Sequence, residues 1–481
     1  MQNLKKSIPI TNFAFKRTLS NQIPPVNYLT HNLYSYPAKF IPHVPFYIIS
    51  KYLKKKNRVI LDPFAGSSST VVEALHMGHN SICIDINPIT NFLTKVKTQI
   101  LDFKLTQTNT IPLDLFLKVG KAKTQSFVEV DLNNFMESMK ASNEFFYPNW
   151  NNINHWYTQD FKNILVKIWG FIYSVESIYP DSFINLAKLA ALYIARYLSY
   201  GARDIPKLFR SKRRIKEVEK LQERYRRDSN FPYEVFQRKL LDYYKQMLDL
   251  TQILEKHNII PAYEYELTRD NIRSQDESKK KIICLGNTDI STFTSPIEGE
   301  FIDLIITSPP YIYAQEYMRS TKLDLYWLNL INDTDVKELT KKELGTKKDT
   351  DSVIIKEKLK NIDSFITITE ILDNKEKEKY GKPSRYPLMT YNYFYDMYSI
   401  ISKLYGYLKR DGIFALFIGN PTVLGYQIPC HAIFSEFFLD LGMKIEEFGY
   451  DEILSPRLLK GRQNESPNGM NVEWLIVARK K

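Results

Sequence analysis

Apolar runs that end in small or rigid turns and lead into helical stretches occur in two separate blocks of this chain. In the first, Arg58-Val-Ile-Leu61 reads as a buried strand and Asp62-Pro-Phe-Ala-Gly66 as a turn. Val71–Met77 comes next as a helix stopped by Gly78, and Ser81-Ile-Cys-Ile-Asp85 is the next strand. Strand, turn, helix, strand implies parallel pairing, because a crossover helix is what returns the chain to the same edge. The second block holds the runs Lys281–Leu285, Phe301–Ile306 and Gly412–Ile418, a helical stretch Ala432–Leu441, and a closing run Val472–Val477. Together the blocks predict one α/β domain, a doubly wound, Rossmann-like sheet of about six or seven strands.

At 481 residues the chain is too long for that domain alone. Residues 102–280 lack comparable strand runs and read as mostly helical, with stripes at Ile215, Val218, Leu221, Tyr225 and at Phe236, Leu240, Leu241, Tyr244. The expected organisation is therefore 1–101, an N-terminal segment with the first half of the sheet; 102–280, a helical insertion; and 281–481, the second half. Within the last, 331–385 is rich in Lys, Asp and Glu and is expected as a charged loop insertion, most mobile around Lys341–Asp351. Cys83, Cys284 and Cys430 each sit in an apolar run, which suits buried thiols and neither a disulfide frame nor a metal site. With no run long enough to span a bilayer and no apolar core in Met1–Ser20, a cytoplasmic protein is expected.

Two turns carry candidate chemistry. Gly66 lets the backbone approach a ligand, and the helix behind it offers free N–H groups. Asp85 ends the next strand, where a carboxylate can accept both hydrogen bonds of a ribose diol. In the second block Asp303-Leu-Ile-Ile306 ends in Thr307-Ser308-Pro309-Pro310-Tyr311. The prolines freeze the backbone and supply no N–H, so carbonyls are held outward. Ser308 adds an acceptor and Tyr311 a flat ring, a set that can stack a planar base and hold its exocyclic amine.

As a pair, the turns resemble those of the amino-methylating, S-adenosylmethionine-dependent DNA methyltransferases. Asp62-Pro-Phe-Ala-Gly66-Ser-Ser-Ser-Thr70 is similar to their cofactor motif, and Thr307-Ser-Pro-Pro-Tyr311 to their catalytic motif. His31–Pro42 resembles the segment that closes over the methionine end of the cofactor, and Ile312–Asn329 resembles the stretch after their catalytic turn. The resemblance covers residues 31–100, 281–330 and 386–481. It departs from the family at Ser68, where a second glycine is usual, and weaker or shifted cofactor packing is expected there.

The resemblance implies a role for each residue. Asp62, Phe64 and Gly66 would line the methionine part of S-adenosylmethionine, Asp85 would hold the ribose, and Asn287 or Asp289 the adenine amine. Tyr36 and Lys39 would lie near the methionine carboxylate. Ser308 and the Pro309 carbonyl, on the turn stiffened by Pro310, would accept from the target amine while Tyr311 stacks on the base. Serine ahead of Pro-Pro-Tyr leans towards cytosine N4 over adenine N6. The implied substrate is double-stranded DNA, in restriction–modification or related defence, with a cognate restriction endonuclease as a separate protein. An RNA amino-methyltransferase or an inactive nucleic-acid-binding protein are the alternatives. Pro429-Cys430 resembles the nucleophile of carbon-5 cytosine methyltransferases, but it comes after the fifth strand of the core where the fourth is needed, so a core thiol is expected.

The formal net charge of +12 is concentrated. Between Arg196 and Arg227 stand 12 basic and 4 acidic residues, a balance of 12 − 4 = +8. Arg210, Lys212, Arg213 and Arg214, with tyrosines nearby, suit phosphate contacts, and 102–280 is expected to be the DNA-recognition domain.

Overall fold

A computed structural model of the chain describes residues 9–19, 28–36, 40–106, 128–202, 208–272, 274–312, 317–344, 351–381, 385–453 and 470–481. Its centre is a nine-stranded sheet. In chain order its strands are β1 (Ile10–Asn12), β2 (Val59–Asp62), β3 (Asn80–Asp85), β6 (Ile260–Glu264), β7 (Lys279–Gly286), β8 (Ile302–Thr307), β9 (Leu408–Gly419), β12 (Lys444–Glu452) and β13 (Val472–Arg479). The short strands β4 (Phe103–Thr106) and β5 (Val128–Asp131) pair with each other, as do β10 (Thr422–Val423) and β11 (Tyr426–Gln427).

Across the sheet the order is β1-β12-β13-β9-β8-β2-β3-β7-β6. The pairs from β9 to β6 are parallel, and β13 runs antiparallel between β9 and β12. From β2 the chain builds outward through β3 to β7, then returns to lay β8 on the other side of β2. The direction of winding reverses between β2 and β8, and the crevice outside the carboxyl ends at such a reversal is where open α/β sheets bind ligands.

Alternation along the strands explains why both faces are covered. Val59, Leu61, Ile82, Ile84 and Ile305 point into one core with the helices Arg385–Tyr407 and Cys430–Asp440. Ile60, Leu304 and Ile306 point the other way, onto Val44 and Ile48 of the helix His43–Tyr52. Farther along that face, Cys83, Ile282 and Cys284 join a large core with the helices Ser69–His76 and Ile89–Thr98. That core continues without a break into the helices Gln159–Ser174, Asp181–Leu198 and Phe231–Lys256. All three cysteines are buried and free.

Three expectations change. The sheet has nine strands because its edges recruit short polar segments: β1 is fully exposed, and β6 carries Pro261, tolerable on an edge strand. The sheet resumes at β6, before residue 281. The charged segment 331–385 is not a loop where it is described: it forms helices Asp333–Lys342, Ser352–Lys358 and Asp363–Tyr380. A capping box of Asn332 and Asp335 starts the first, and buried Ile355, Leu359, Phe365, Ile368 and Leu372 anchor the others beneath their charged faces. Residues 345–350, within the stretch expected to be most mobile, lie outside the described residues. No described helix is long and apolar enough to cross a membrane.

Candidate active site at the carboxyl edge of the sheet

The turn after β2 is pinned from several directions. Gly66 has φ of +48° and Ser68 of +62°, a region costly for side-chain-bearing residues. Ser68 occupies it with its hydroxyl 2.5 Å from Thr94 Oγ1, fully buried towards the helix Ile89–Thr98. The serine at the usual glycine position thus faces the core. Thr90 Oγ1 donates to the Gly66 carbonyl at 3.0 Å, and the buried Lys97 ammonium donates to the Ser67 carbonyl at 2.7 Å.

Asp85 closes over this turn from β3. It accepts from the Gly66 N–H at 2.7 Å and from the Asn87 N–H at 2.8 Å. Burial pushes its carboxyl up to about 6, against the pull of those two donors. Two of its roughly four lone-pair positions are thereby used, and two remain for a diol. Tyr36 covers the turn: a Cβ added at Gly66 would stand 3.0 Å from its ring. Asn87 Nδ2 reaches Thr321 Oγ1 at 2.9 Å and the Tyr36 hydroxyl at 3.5 Å, and Tyr36 stacks on Tyr317 with centroids 6.3 Å apart. The loop after β7 docks alongside, with the Thr288 N–H on the Asp85 carbonyl at 2.9 Å. Asn287 is exposed there at φ +62°, and Asp289 caps Ser291 through its backbone N–H and hydroxyl.

Asp62 joins the two turns. Its buried carboxylate accepts from Thr70 Oγ1 at 2.6 Å, from Thr307 Oγ1 at 3.0 Å, and from the Phe64 N–H at 3.2 Å. Burial lifts it to about 6, although all three bonds favour the charged form. It therefore fastens the residue before Ser308 to the helix behind Gly66. Beyond it, the Tyr393 hydroxyl donates to the Pro310 carbonyl at 2.8 Å, and the half-buried Tyr311 donates its hydroxyl to Glu473 on β13.

The family model for DNA methylases matches residues 11–90. The Type II methyltransferase M.MvaI of Kocuria varians is 22% identical over 85% of this chain and 81% of its own length. M.BsoBI of Geobacillus stearothermophilus, also a Type II methyltransferase, is 21% identical over 90% of this chain and 82% of itself. M.MjaII of Methanocaldococcus jannaschii reaches 38%, over 15% of this chain and 14% of itself. No solved structure matches significantly. The family model and these relatives together support a DNA amino-methyltransferase of the N4-cytosine/N6-adenine type.

Within this methyltransferase the fold gathers Tyr36, Asp62, Phe64, Gly66, Asp85, Asn287, Asp289 and Ser308–Tyr311 at one carboxyl edge; Lys39 lies outside the described residues. Sequence reading missed Glu473, Asn87 and Tyr393, and for Thr307, named there as the start of the catalytic turn, it missed the bond to Asp62. Their partners stand up to hundreds of positions away, and no local spacing announces them. Cys430 is buried at the start of its helix, and burial drives its thiol upward, which disfavours the thiolate a nucleophile needs.

The basic segment needs a correction. Arg214 is 4% exposed; its guanidinium donates to the Ser199 carbonyl at 3.0 Å, the Tyr197 carbonyl at 2.5 Å and Glu217 at 3.0 Å. It braces the helix Lys212–Arg227 and is not presented to a partner. Arg196 forms a double contact with fully buried Asp324, which also accepts from the Tyr34 hydroxyl. Arg210 is exposed but stacks 4.3 Å over the Tyr200 ring and donates to the His155 carbonyl at 3.0 Å. Lys212 and Arg213 are exposed, the latter paired with Glu217 at 3.0 Å.

Proposed function

We propose that this methyltransferase uses S-adenosylmethionine to methylate the exocyclic amine of a flipped-out base in double-stranded DNA, N4 of cytosine in preference to N6 of adenine. The observation that carries the reading is the Asp62 bridge. It locks the glycine turn and the Ser-Pro-Pro-Tyr turn side by side, at the place where the sheet reverses its winding. Bringing two reactants into one rigid crevice is most of what such a transfer requires.

The residues present fit the cofactor. A Cβ at Gly66 would fill the space between the turn and Tyr36, while Asp85 keeps acceptor capacity for ribose hydroxyls. Asn287 or Asp289 would meet the adenine amine, Phe64 and Gly66 the methionine part, and Tyr36 and Lys39 its carboxylate end. When bound, S-adenosylmethionine supplies an electrophilic sulfonium methyl.

The chain's own residues address the weak nucleophile. An exocyclic amine is delocalised into its ring, and acceptors on both N–H groups draw the lone pair back onto nitrogen. Tyr393 occupies the Pro310 carbonyl, so the acceptors offered are Ser308 and the Pro309 carbonyl, with Tyr311 against the base. Because the amine is paired in a duplex, the base must leave the stack.

The sheet is read as a Rossmann-like doubly wound methyltransferase core. Residues 102–280, apart from β6 and the start of β7, which belong to the sheet, would be the DNA-recognition insertion, and the setting cytoplasmic restriction–modification with a separate endonuclease. Incubation with labelled S-adenosylmethionine and DNA, then digestion to nucleosides, tests the reading. Label on N4-methylcytosine is expected. Label confined to N6-methyladenine would refute the base assignment, and label on RNA alone or nowhere would refute the function.

A further inference from the structure

Two prolines hold the backbone ahead of Tyr311, yet they leave its side-chain torsions free. A ring that must present one face to a base needs a second anchor, and the anchor comes from another strand. The Tyr311 hydroxyl donates to Glu473 Oε1. In the antiparallel ladder Glu473 lies directly opposite Gly419, the last residue of β9, so the two positions share a face. A Cβ at Gly419 would collide with Met470 Sδ and lie 3.6 Å from Tyr311 Cζ, so the Met470 thioether fills the space over Gly419 and the Tyr311 ring lies beside it. The ring is tied by its hydroxyl to the strand beyond. From the other side the Tyr393 hydroxyl holds the Pro310 carbonyl at 2.8 Å, fixing the peptide from which Tyr311 springs.

We propose that Glu473 is a positioning residue of the catalytic turn, which sets the plane of the Tyr311 ring over the base pocket by accepting its hydroxyl. The inference rests on the reading that Tyr311 stacks on the target base. A carboxylate suits the task better than a neutral acceptor, because a charge-assisted bond is shorter and stiffer. Arrival from β13, which is separated from β8 by β9 alone, also makes the catalytic turn depend on the antiparallel register of β13 with β9, so a shift of that strand would be felt at the base.

The test is a double-mutant cycle on the full chain, with labelled S-adenosylmethionine and unmethylated high-complexity duplex DNA. Variants are Glu473→Ala, Glu473→Gln, Tyr311→Phe, Tyr311→Ala and the doubles of Glu473 with Tyr311→Phe. Single-turnover rate, KM for DNA and cofactor affinity are measured for each. A misplaced ring should cost Glu473→Ala about 10- to 100-fold in rate at unchanged cofactor affinity. Glu473→Gln, which retains an acceptor, should stay within about 10-fold of the parent. In the Tyr311→Phe background, removing Glu473 should add nothing, since its route of action is already gone. Should Glu473→Ala fail to bind cofactor, the Gln arm is decisive, and its deficit must vanish in that background. Losses that multiply in the double variant, or a normal rate in Glu473→Ala while Tyr311→Ala abolishes transfer, would overturn the inference alone. Full transfer by Tyr311→Ala would overturn the stacking reading beneath it.

Discussion

If DNA lies along the helix Lys212–Arg227, the burial pattern says which charges it meets. Arg213, Lys216, Lys220, Arg224 and Arg227 are all exposed, at spacings of three, four, four and three residues. At about 1.5 Å per residue they run for roughly 21 Å along one flank. One strand of duplex presents about six phosphates over that length. Arg213 pairs with Glu217, and Arg224 stacks on Phe231, so the cleanest perturbation is Lys216, Lys220 and Arg227 changed together to Gln. Each phosphate contact contributes about −0.9 to the slope of log affinity against log salt, so the triple variant should lose about 2.7. Between roughly 50 and 200 mM salt this amounts to about 40-fold less salt-induced weakening than in the parent. Fluorescence anisotropy with a labelled duplex, titrated across that range, reads the slope directly.

Arg214→Gln is the matched control, because it removes a charge from the same helix at a buried site. It should leave the slope unchanged while lowering stability by about 3 kcal/mol, through the three acceptors it leaves behind. An unaltered slope in the triple variant, or a flattened slope in Arg214→Gln at an unchanged melting temperature, would refute the placement of DNA on this flank.

Cofactor binding should be acid-sensitive: Asp85 titrates at about 6 in the folded protein, so S-adenosylmethionine affinity should rise with pH through that value and level off above it. Calorimetry in the parent and in Asp85→Asn checks this, and a pH rise of equal size in Asp85→Asn would assign the effect elsewhere. Glu73 is fully buried beside His31, at 2.6 Å, and burial raises its carboxyl from 4.5 to about 8. Between those values the native state binds a proton that the unfolded state has released, so stability should fall as pH rises from about 4.5 to 8. Thermal melts of Glu73→Gln should lack that component, and parallel pH curves for the two proteins would contradict it.

Whether a feature can be read in the sequence depends on how it is encoded. The two turns were legible because each is a contiguous string in which small or rigid residues interrupt an apolar strand, and their pairing narrowed the family. The strands of the parallel core were legible as short apolar runs for the same reason. The edges were not: β1 is three residues with a polar majority, and β6 contains a proline, so both are strands only because a neighbour offers a free ladder. Glu473 and Thr307 reach their partners through register and through a carboxylate 245 positions away, which no window along the chain can contain.

Charge shows the same distinction more sharply. Arg196 and Arg214 look like their basic neighbours in the sequence, and both counted towards the surplus of the segment. In the fold, Arg196 binds Asp324 on the helix Tyr317–Trp327, the Ser320 carbonyl and the Tyr34 hydroxyl. That one guanidinium ties the helical segment to the element just after the catalytic turn and to the stretch that precedes Tyr36. Without Arg196, Asp324 would remain a fully buried acid facing a tyrosine hydroxyl, a costlier state than losing a surface charge. A cation's address in the sequence therefore does not decide whether it meets solvent or the core; the partner brought to it by the topology does. The helix Asp181–Leu198 is fastened to the catalytic half of the molecule by the same kind of residue that, one helix later, faces outward.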